Sequence, residues 1–244
     1  MRIVTALLLA GAAAFGAENS FERLHEANQA FDRADYQTAV QGYQALLAQG
    51  FESGDLHFNL GNAYFRTASL GSSLFHFRRA WDLRPRDPDL RFNLDYAREK
   101  VADQMESRDS LWWRVLGLRG SVSEKEAYHA LVLVTFLLLV VSGTALYRRS
   151  DWLLWARNGL IGIWAYGAIV VTYQTLLREP FGVVVVSEAK VYSGIGKDNV
   201  TLFTLHEGVE FVVADAVGGE WIRIRLSDGK QGWIRTGDAV YEKG

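Results

Sequence analysis

Apolar residues in this chain gather into three unbroken runs, and elsewhere they recur at intervals that suit helices first and strands last. The first run, Ile3 to Phe15, follows Met1-Arg2 and gives way to the small residues Gly16 and Ala17 before the polar Glu18-Asn19-Ser20. An early positive charge, an apolar core and a small-residue exit predict a signal peptide over 1–17; an uncleaved anchor helix is the other reading. The second run, 127–147, reads AYHALVLVTFLLLVVSGTALY, with His129 as its only ionisable residue apart from tyrosines, and the third, 159–177, reads GLIGIWAYGAIVVTYQTLL without a charge. About 20 helical residues cross a hydrocarbon core of roughly 30 Å, and a helix lacking a polar stripe does not suit a soluble surface. A two-helix transmembrane hairpin is therefore expected over 127–147 and 159–177, its second arm diluted by Gln174 and three glycines. The loop between them, 148–158, carries Arg148, Arg149 and Arg157 against Asp151. Positive charge retained inside puts that loop in the cytoplasm and puts 18–126 and 178–244 on the exported side, where the signal peptide would also deliver the N-terminus. Ahead of the first arm, the segment 107–126 mixes Trp112, Trp113, Leu116 and Leu118 with Arg108, Arg114 and Arg119. It reads as an amphipathic helix at the bilayer interface, or as a helix packed on its own preceding domain.

Between the first two runs the chain repeats itself. Asp55-Leu56-His57-Phe58-Asn59-Leu60 recurs as Asp89-Leu90-Arg91-Phe92-Asn93-Leu94, an offset of 34 that also pairs Ala27 with Gly61, Asn28 with Asn62, Ala39 with Ser73 and Tyr43 with Phe77. A period of 34, two helices long with small residues at the crossing, resembles the tetratricopeptide repeat (TPR). Two repeats are expected within 18–106, the second stopped after Leu83 by Pro85, followed by a capping helix over roughly 89–105. The pattern departs at Ala30, where TPR sequences usually carry a tyrosine. In the TPR frame the groove-facing positions are Leu24, Asn28, Phe31 and Asp32, then Phe58, Asn62, Phe65 and Arg66, then Phe92 and Tyr96. They read as a peptide-binding face; the alternative is that the asparagines bond neighbouring backbone and the phenylalanines are core. At the crossing, Gly61→Ala is expected to be tolerated, because the first repeat already has Ala27 there.

After Glu179-Pro180 the pattern changes to short alternating runs, 183–186, 189–192, 209–214, 221–226 and 231–234, separated by Gly194, Gly196, Gly218-Gly219 and Asp228-Gly229. Five strands in this space predict a small barrel over 182–244, and the order AKVYSG, LHEGV, GEWIRI, DGKQGWI resembles a bacterial SH3 domain. Tyr192, Trp221 and Trp233 are its candidate ligand residues, for a peptide or a cell-wall stem; Trp221 and Trp233 also read as barrel packing.

Composition narrows the function classes. Lys and Arg number 26 against 28 Asp and Glu, without a long basic stretch, so a nucleic-acid phosphate partner is not expected. Without cysteine there is no disulfide, thiolate nucleophile or Cys-ligated metal. His25, His57, His76, His129 and His206 are scattered and stand at no metal-ligand spacing, and Gly194-Ile195-Gly196-Lys197 lacks the rest of a phosphate-binding loop. No enzyme, metal or cofactor is expected.

The order of signal peptide, TPR array, Trp-Trp-Arg segment, two spans and SH3 module resembles BatE, a family of TPR proteins of the bacterial aerotolerance (Bat) operon. The resemblance covers nearly the whole chain and rests on DLHFNLGNAYFR at 55–66, FNLDYAR at 92–98, WWR at 112–114, LFTLHEGVEFVV and WIRIRLSDGKQGWI. It implies a multidomain, multi-pass protein of the bacterial inner (cytoplasmic) membrane, with an all-α TPR solenoid and an all-β SH3-like barrel on the periplasmic side. It further implies a scaffold for protein partners, von Willebrand A-domain Bat proteins and a MoxR-type ATPase system, linked to oxidative-stress tolerance. An envelope sensor that binds a cell-wall peptide through the SH3 module is the competing expectation.

Overall fold

The computed structural model describes residues 20–103, 122–148, 150–196 and 199–242. The expected signal peptide over 1–17, most of the 107–126 segment and Arg149 lie outside the described residues. The chain divides into two compact units, one drawn from Met1–Ala80, Pro88–Glu106 and Pro180–Gly244, the other from Trp81–Asp87 and Ser107–Glu179.

In the first unit, helix α1 over 20–32 is followed by α2 (Tyr36–Ala48), α3 (Gly54–Arg66), α4 (Leu70–Leu83) and α5 (Pro88–Arg98). The starts of α2 and α3 are capped locally: Asp35 accepts from the Thr38 N–H, and Ser53 Oγ from that of Leu56. The helices α1 and α3 end in matching turns, with Ala34 and Ala68 both left-handed at φ 62° and 60°. Six-residue closing bonds run from Asp35 N–H to Ala30 and from Ser69 N–H to Tyr64. Ala27, Ala30, Tyr43, Leu46, Leu56 and Leu60 form a buried core, so the alanine that departs from the repeat pattern is itself core.

Crossings within the two repeats are built from different size pairs. In the first, a Cβ on Gly42 would come 2.8 Å from that of Ala27; in the second, one on Gly61 would come 2.6 Å from Phe77, a ring that is 1% exposed. Ala27 therefore fits only because Gly42 is opposite it, and the expectation that Gly61→Ala is tolerated is corrected: Phe77 fills the space a methyl group needs. Ser73 on α4 donates to the Gly61 carbonyl at 2.8 Å. α5 is also shorter than the expected 89–105, ending at Arg98 in tight turns through Lys100 and Val101.

Seven antiparallel strands complete this unit: β1 (Phe181–Val184), β2 (Glu188–Tyr192), β3 (Thr201–His206), β4 (Glu210–Val217), β5 (Trp221–Arg225), β6 (Gln231–Arg235) and β7 (Ala239–Tyr241), in the order β3-β2-β6-β5-β4-β1-β7. Five were expected; β3 and β7 are additional, and they are the two edges. In β2, β5 and β6 alternate residues are buried, among them Ala189, Val191, Ile222, Ile224 and Ile234, leaving the residues between them on the outward face, whereas β1 is buried along its whole length. The β4–β5 connection turns on Gly218 and Gly219, both with positive φ.

In the second unit, α6 (Glu124–Tyr147) starts in a capping box between Ser123 and Glu126 and runs 24 residues, about 36 Å. α7 (Asp151–Thr172) continues as a π-helical turn through Tyr173–Leu177. Both are long and apolar enough to cross a membrane. The connection is shorter than the expected 148–158 loop, because α7 already begins at Asp151 and carries Arg157 within it. The two helices pack on each other, with Trp164 Nε1 donating to Thr135 Oγ1 at 2.9 Å, and Gln174 donates to the Val122 carbonyl.

Candidate functional site

The expected groove residues separate into two groups with different work. Asn28 and Asn62 are half-buried and engaged internally. Asn28 Oδ1 accepts from the Tyr43 hydroxyl at 2.8 Å and from Asn59 at 3.2 Å, and Asn62 Oδ1 accepts from Asn93 at 3.0 Å. Each asparagine pair joins one first helix of a repeat to the next, so the amides act as rungs between α1, α3 and α5. Burial pushes the Tyr43 hydroxyl up to about 12, and the charge of Asp32 adds to the effect.

The aromatic positions form the second group. Phe58 packs on Phe77, whereas Phe65 meets Tyr96 at 5.7 Å between ring centroids and Tyr96 stacks parallel to Phe92 at 6.3 Å. Phe92 is 69% and Tyr96 42% exposed. Lys100 stands 4.7 Å over the Tyr96 ring, and Arg66 lies 4.4 Å over Tyr36, which in turn touches Phe31. Arg66 therefore turns to an aromatic face, while Asn62 bonds within the array. The result is two half-open aromatic clusters, Phe31 and Tyr36 under Arg66 and Phe65, Tyr96 and Phe92 with Lys100, each with a cation seated on a tyrosine and fit to take apolar and acidic side chains.

The α4 and α5 side of the helical array meets the sheet. Glu210 on β4 receives Arg98 through Nε at 2.6 Å and Nη2 at 3.0 Å, and Arg78 at 3.4 Å. Burial works against the Glu210 carboxylate, but the hydrogen bonds and charge of Arg98 outweigh it and hold its pKa below the ordinary range. Glu207 accepts from the Gly71 N–H in the first turn of α4, a capping contact supplied from 136 residues away. Gly208, with φ +92°, approaches Val101 and Leu74 so closely that a Cβ would come 2.8 and 3.2 Å from them. Phe75 packs on Phe181 at 5.3 Å, and Asp103 accepts from both the backbone and the ring of His206.

A polar chain also runs through this contact. His57 and His76, buried, face each other through Nδ1 at 2.9 Å, while His57 Nε2 lies 3.3 Å from Glu52. Glu52 binds Arg79, which also binds Glu242 beyond β7. A proton on His57 Nε2 facing the carboxylate leaves its Nδ1 as acceptor, so His76 donates. Burial pushes His76 down to about 3 and His57 below its usual value. These histidines, scattered in sequence, are neighbours because α3 and α4 cross between them; their spacing of 19 gives no local signal.

Of the sheet residues, Tyr192 and Trp221 meet edge to face at 5.5 Å, and Trp233 pairs across strands with both Tyr192 and Arg223. All three lie on the outward face and are half-buried against neighbours, so none belongs to the buried layer of the sheet. Arg235 lies opposite Trp221 and covers its ring at 5.8 Å. No group of three or more His, Cys, Asp or Glu side chains suited to a metal occurs among the described residues. No family model matches the chain, and no curated protein matches it either.

Proposed function

We propose that this protein is a non-enzymatic scaffold of the Bat type, anchored by α6 and α7 as a transmembrane hairpin, whose TPR array holds a protein partner at the bacterial inner membrane. The observation that carries this reading is the contact between the two halves of the first unit. Residues 20–103 and 180–242 flank the two membrane-length helices in sequence, yet Glu210 is bound by Arg98 and Gly71 by Glu207. A chain that leaves one side of a bilayer must return to that side for such bonds to form, which two crossings achieve. With Arg148 and Arg157 near the connection held in the cytoplasm, the array and the SH3-like sheet are periplasmic. Partners of the kind the family resemblance implies, von Willebrand A-domain membrane proteins working with a MoxR-type ATPase, would dock on the patch of Phe65, Phe92 and Tyr96 in the service of oxidative-stress tolerance.

The test has two parts. Reporters fused after Lys125 and at Gly244 should be exported and one at Ser150 cytoplasmic; an exported Ser150 fusion removes the hairpin. Phe92→Ala with Tyr96→Ala should lose most co-purifying membrane partner per molecule of inserted protein, and unchanged recovery removes the aromatic patch from the mechanism.

A further inference from the structure

On the outward face of β5 and β6 aromatic and guanidinium groups alternate in two directions, and β2 adds a third ring beside them. Trp221 stands opposite Arg235, Arg223 opposite Trp233, and Trp233 opposite Tyr192. Directly opposed residues share a face, so these five side chains make one continuous array across three strands. Arg223 and Arg235 are exposed; the first bonds Gln231 at 3.0 Å and the second covers Trp221. The acids on the same face are Asp215, opposite Arg223 with a carboxylate oxygen taken by the Ala216 N–H, and Glu188 at the far end of β2.

We propose that this face binds the headgroup layer of a bilayer containing anionic phospholipid, an inference that rests on the hairpin reading above. Three observations converge on that occupant. Indole and phenol rings with an apolar body and polar edge favour the membrane interface. Guanidinium groups bind phosphate through paired hydrogen bonds. The array extends along and across the strands, which suits a surface better than a single extended chain. The sequence adds a tether: the candidate span ends at Leu176 and β1 begins at Phe181, so four residues join them, too few to carry the sheet far from a bilayer. At such a tether length, even weak headgroup contacts act at high effective concentration.

The full chain, which has no cysteine, accepts a unique spin label at Lys190→Cys, on the exposed side of β2. It is reconstituted in phosphatidylcholine nanodiscs with and without phosphatidylglycerol, after alkaline extraction has scored insertion. The label should lose accessibility to a water-soluble paramagnetic reagent when phosphatidylglycerol is present and regain it at high salt. Arg223→Gln with Arg235→Gln should lower the ratio of protected to accessible label about thirtyfold, from the typical contribution of two surface arginines. Equal accessibility in both lipids overturns the inference. So does protection that appears only on adding a carboxylate-rich cell-wall peptide, which would make the face a cell-wall site. A chain that fails extraction overturns the hairpin reading itself, and the lipid face with it.

Discussion

Arg98 at the end of α5 and Glu210 at the start of β4 meet through two hydrogen bonds, of 2.6 and 3.0 Å, across 112 positions of sequence. With Arg78 also reaching Oε2 at 3.4 Å, the carboxylate is held from both α4 and α5. Glu210→Gln keeps the shape and removes the charge, and should cost about 1.5–3 kcal/mol in denaturant unfolding. Arg98→Ala should cost a similar amount, and the double variant less than the sum, because the two residues share one interaction. Additive losses would sink the claim that this pair joins array and sheet.

Removal of the sheet is the coarser version of the same experiment. Deletion of 182–244 uncovers Leu74 and Val101 and strips Arg78 and Arg98 of their carboxylate. The truncated chain should be cleaved by protease within 20–103 under conditions that leave the full chain intact. Equal resistance would show that the array folds without its sheet.

Gly61→Ala should destabilise the protein by about 1–3 kcal/mol, through overpacking against Phe77. Trimming the ring in a Gly61→Ala, Phe77→Leu double variant should recover part of that loss relative to Phe77→Leu alone. A double variant no better than the sum of the singles would mean that the crossing is not limited by this contact.

At the left-handed turns the expected sign is the reverse. Ala34→Gly and Ala68→Gly remove a Cβ from a conformation that costs L residues about 1–2 kcal/mol. The greater freedom of glycine in the unfolded chain offsets part of this gain, leaving about 0.5–1 kcal/mol of stabilisation per site in thermal unfolding.

Acid should weaken the first unit before its carboxylates titrate. Both His57 and His76 have folded-state pKa values below the roughly 6.5 of an unfolded histidine. The unfolded chain therefore binds more protons in acid, so the stabilisation is complete above about pH 6.5 and declines as pH falls toward about 3. Unfolding midpoints at a series of pH values should fall in this window, and His76→Leu should flatten the slope. A wild-type slope unchanged by the substitution would assign the acid sensitivity elsewhere.

How far these features could be read in advance depended on the range over which each is encoded. The apolar runs at 127–147 and 159–177, the stop at Pro85 and five of the strands are local patterns, and each was visible in a short window. β7 is three residues long and begins after a turn of 3₁₀ helix, too brief for periodicity, and the alternation in Thr201–His206 is masked by threonines. Asn28 and Asn62 were recognisable as special by recurrence, but only their bonds to Asn59 and Asn93 separate structural amides from binding ones. Glu210 and Arg98 looked like ordinary surface charges, since nothing near either announces a partner on the far side of the two apolar helices. The size exchange between Ala27 with Gly42 and Gly61 with Phe77 was hidden for a related reason: repeat alignment compares equivalent positions, whereas packing compares opposite ones.

The joining of array and sheet also sets an order of synthesis. The ribosome completes residues 20–103 long before Phe181, so the faces around Leu74, Phe75 and Val101 wait through the production of both long apolar helices. Only after the chain has passed through them do Glu207, Gly208 and Glu210 arrive to cover those faces. Until then the nascent array lacks part of its cover and stays open to proteases and chaperones, and its resistance to them becomes a record that residues 181–242 have been made and have docked on it.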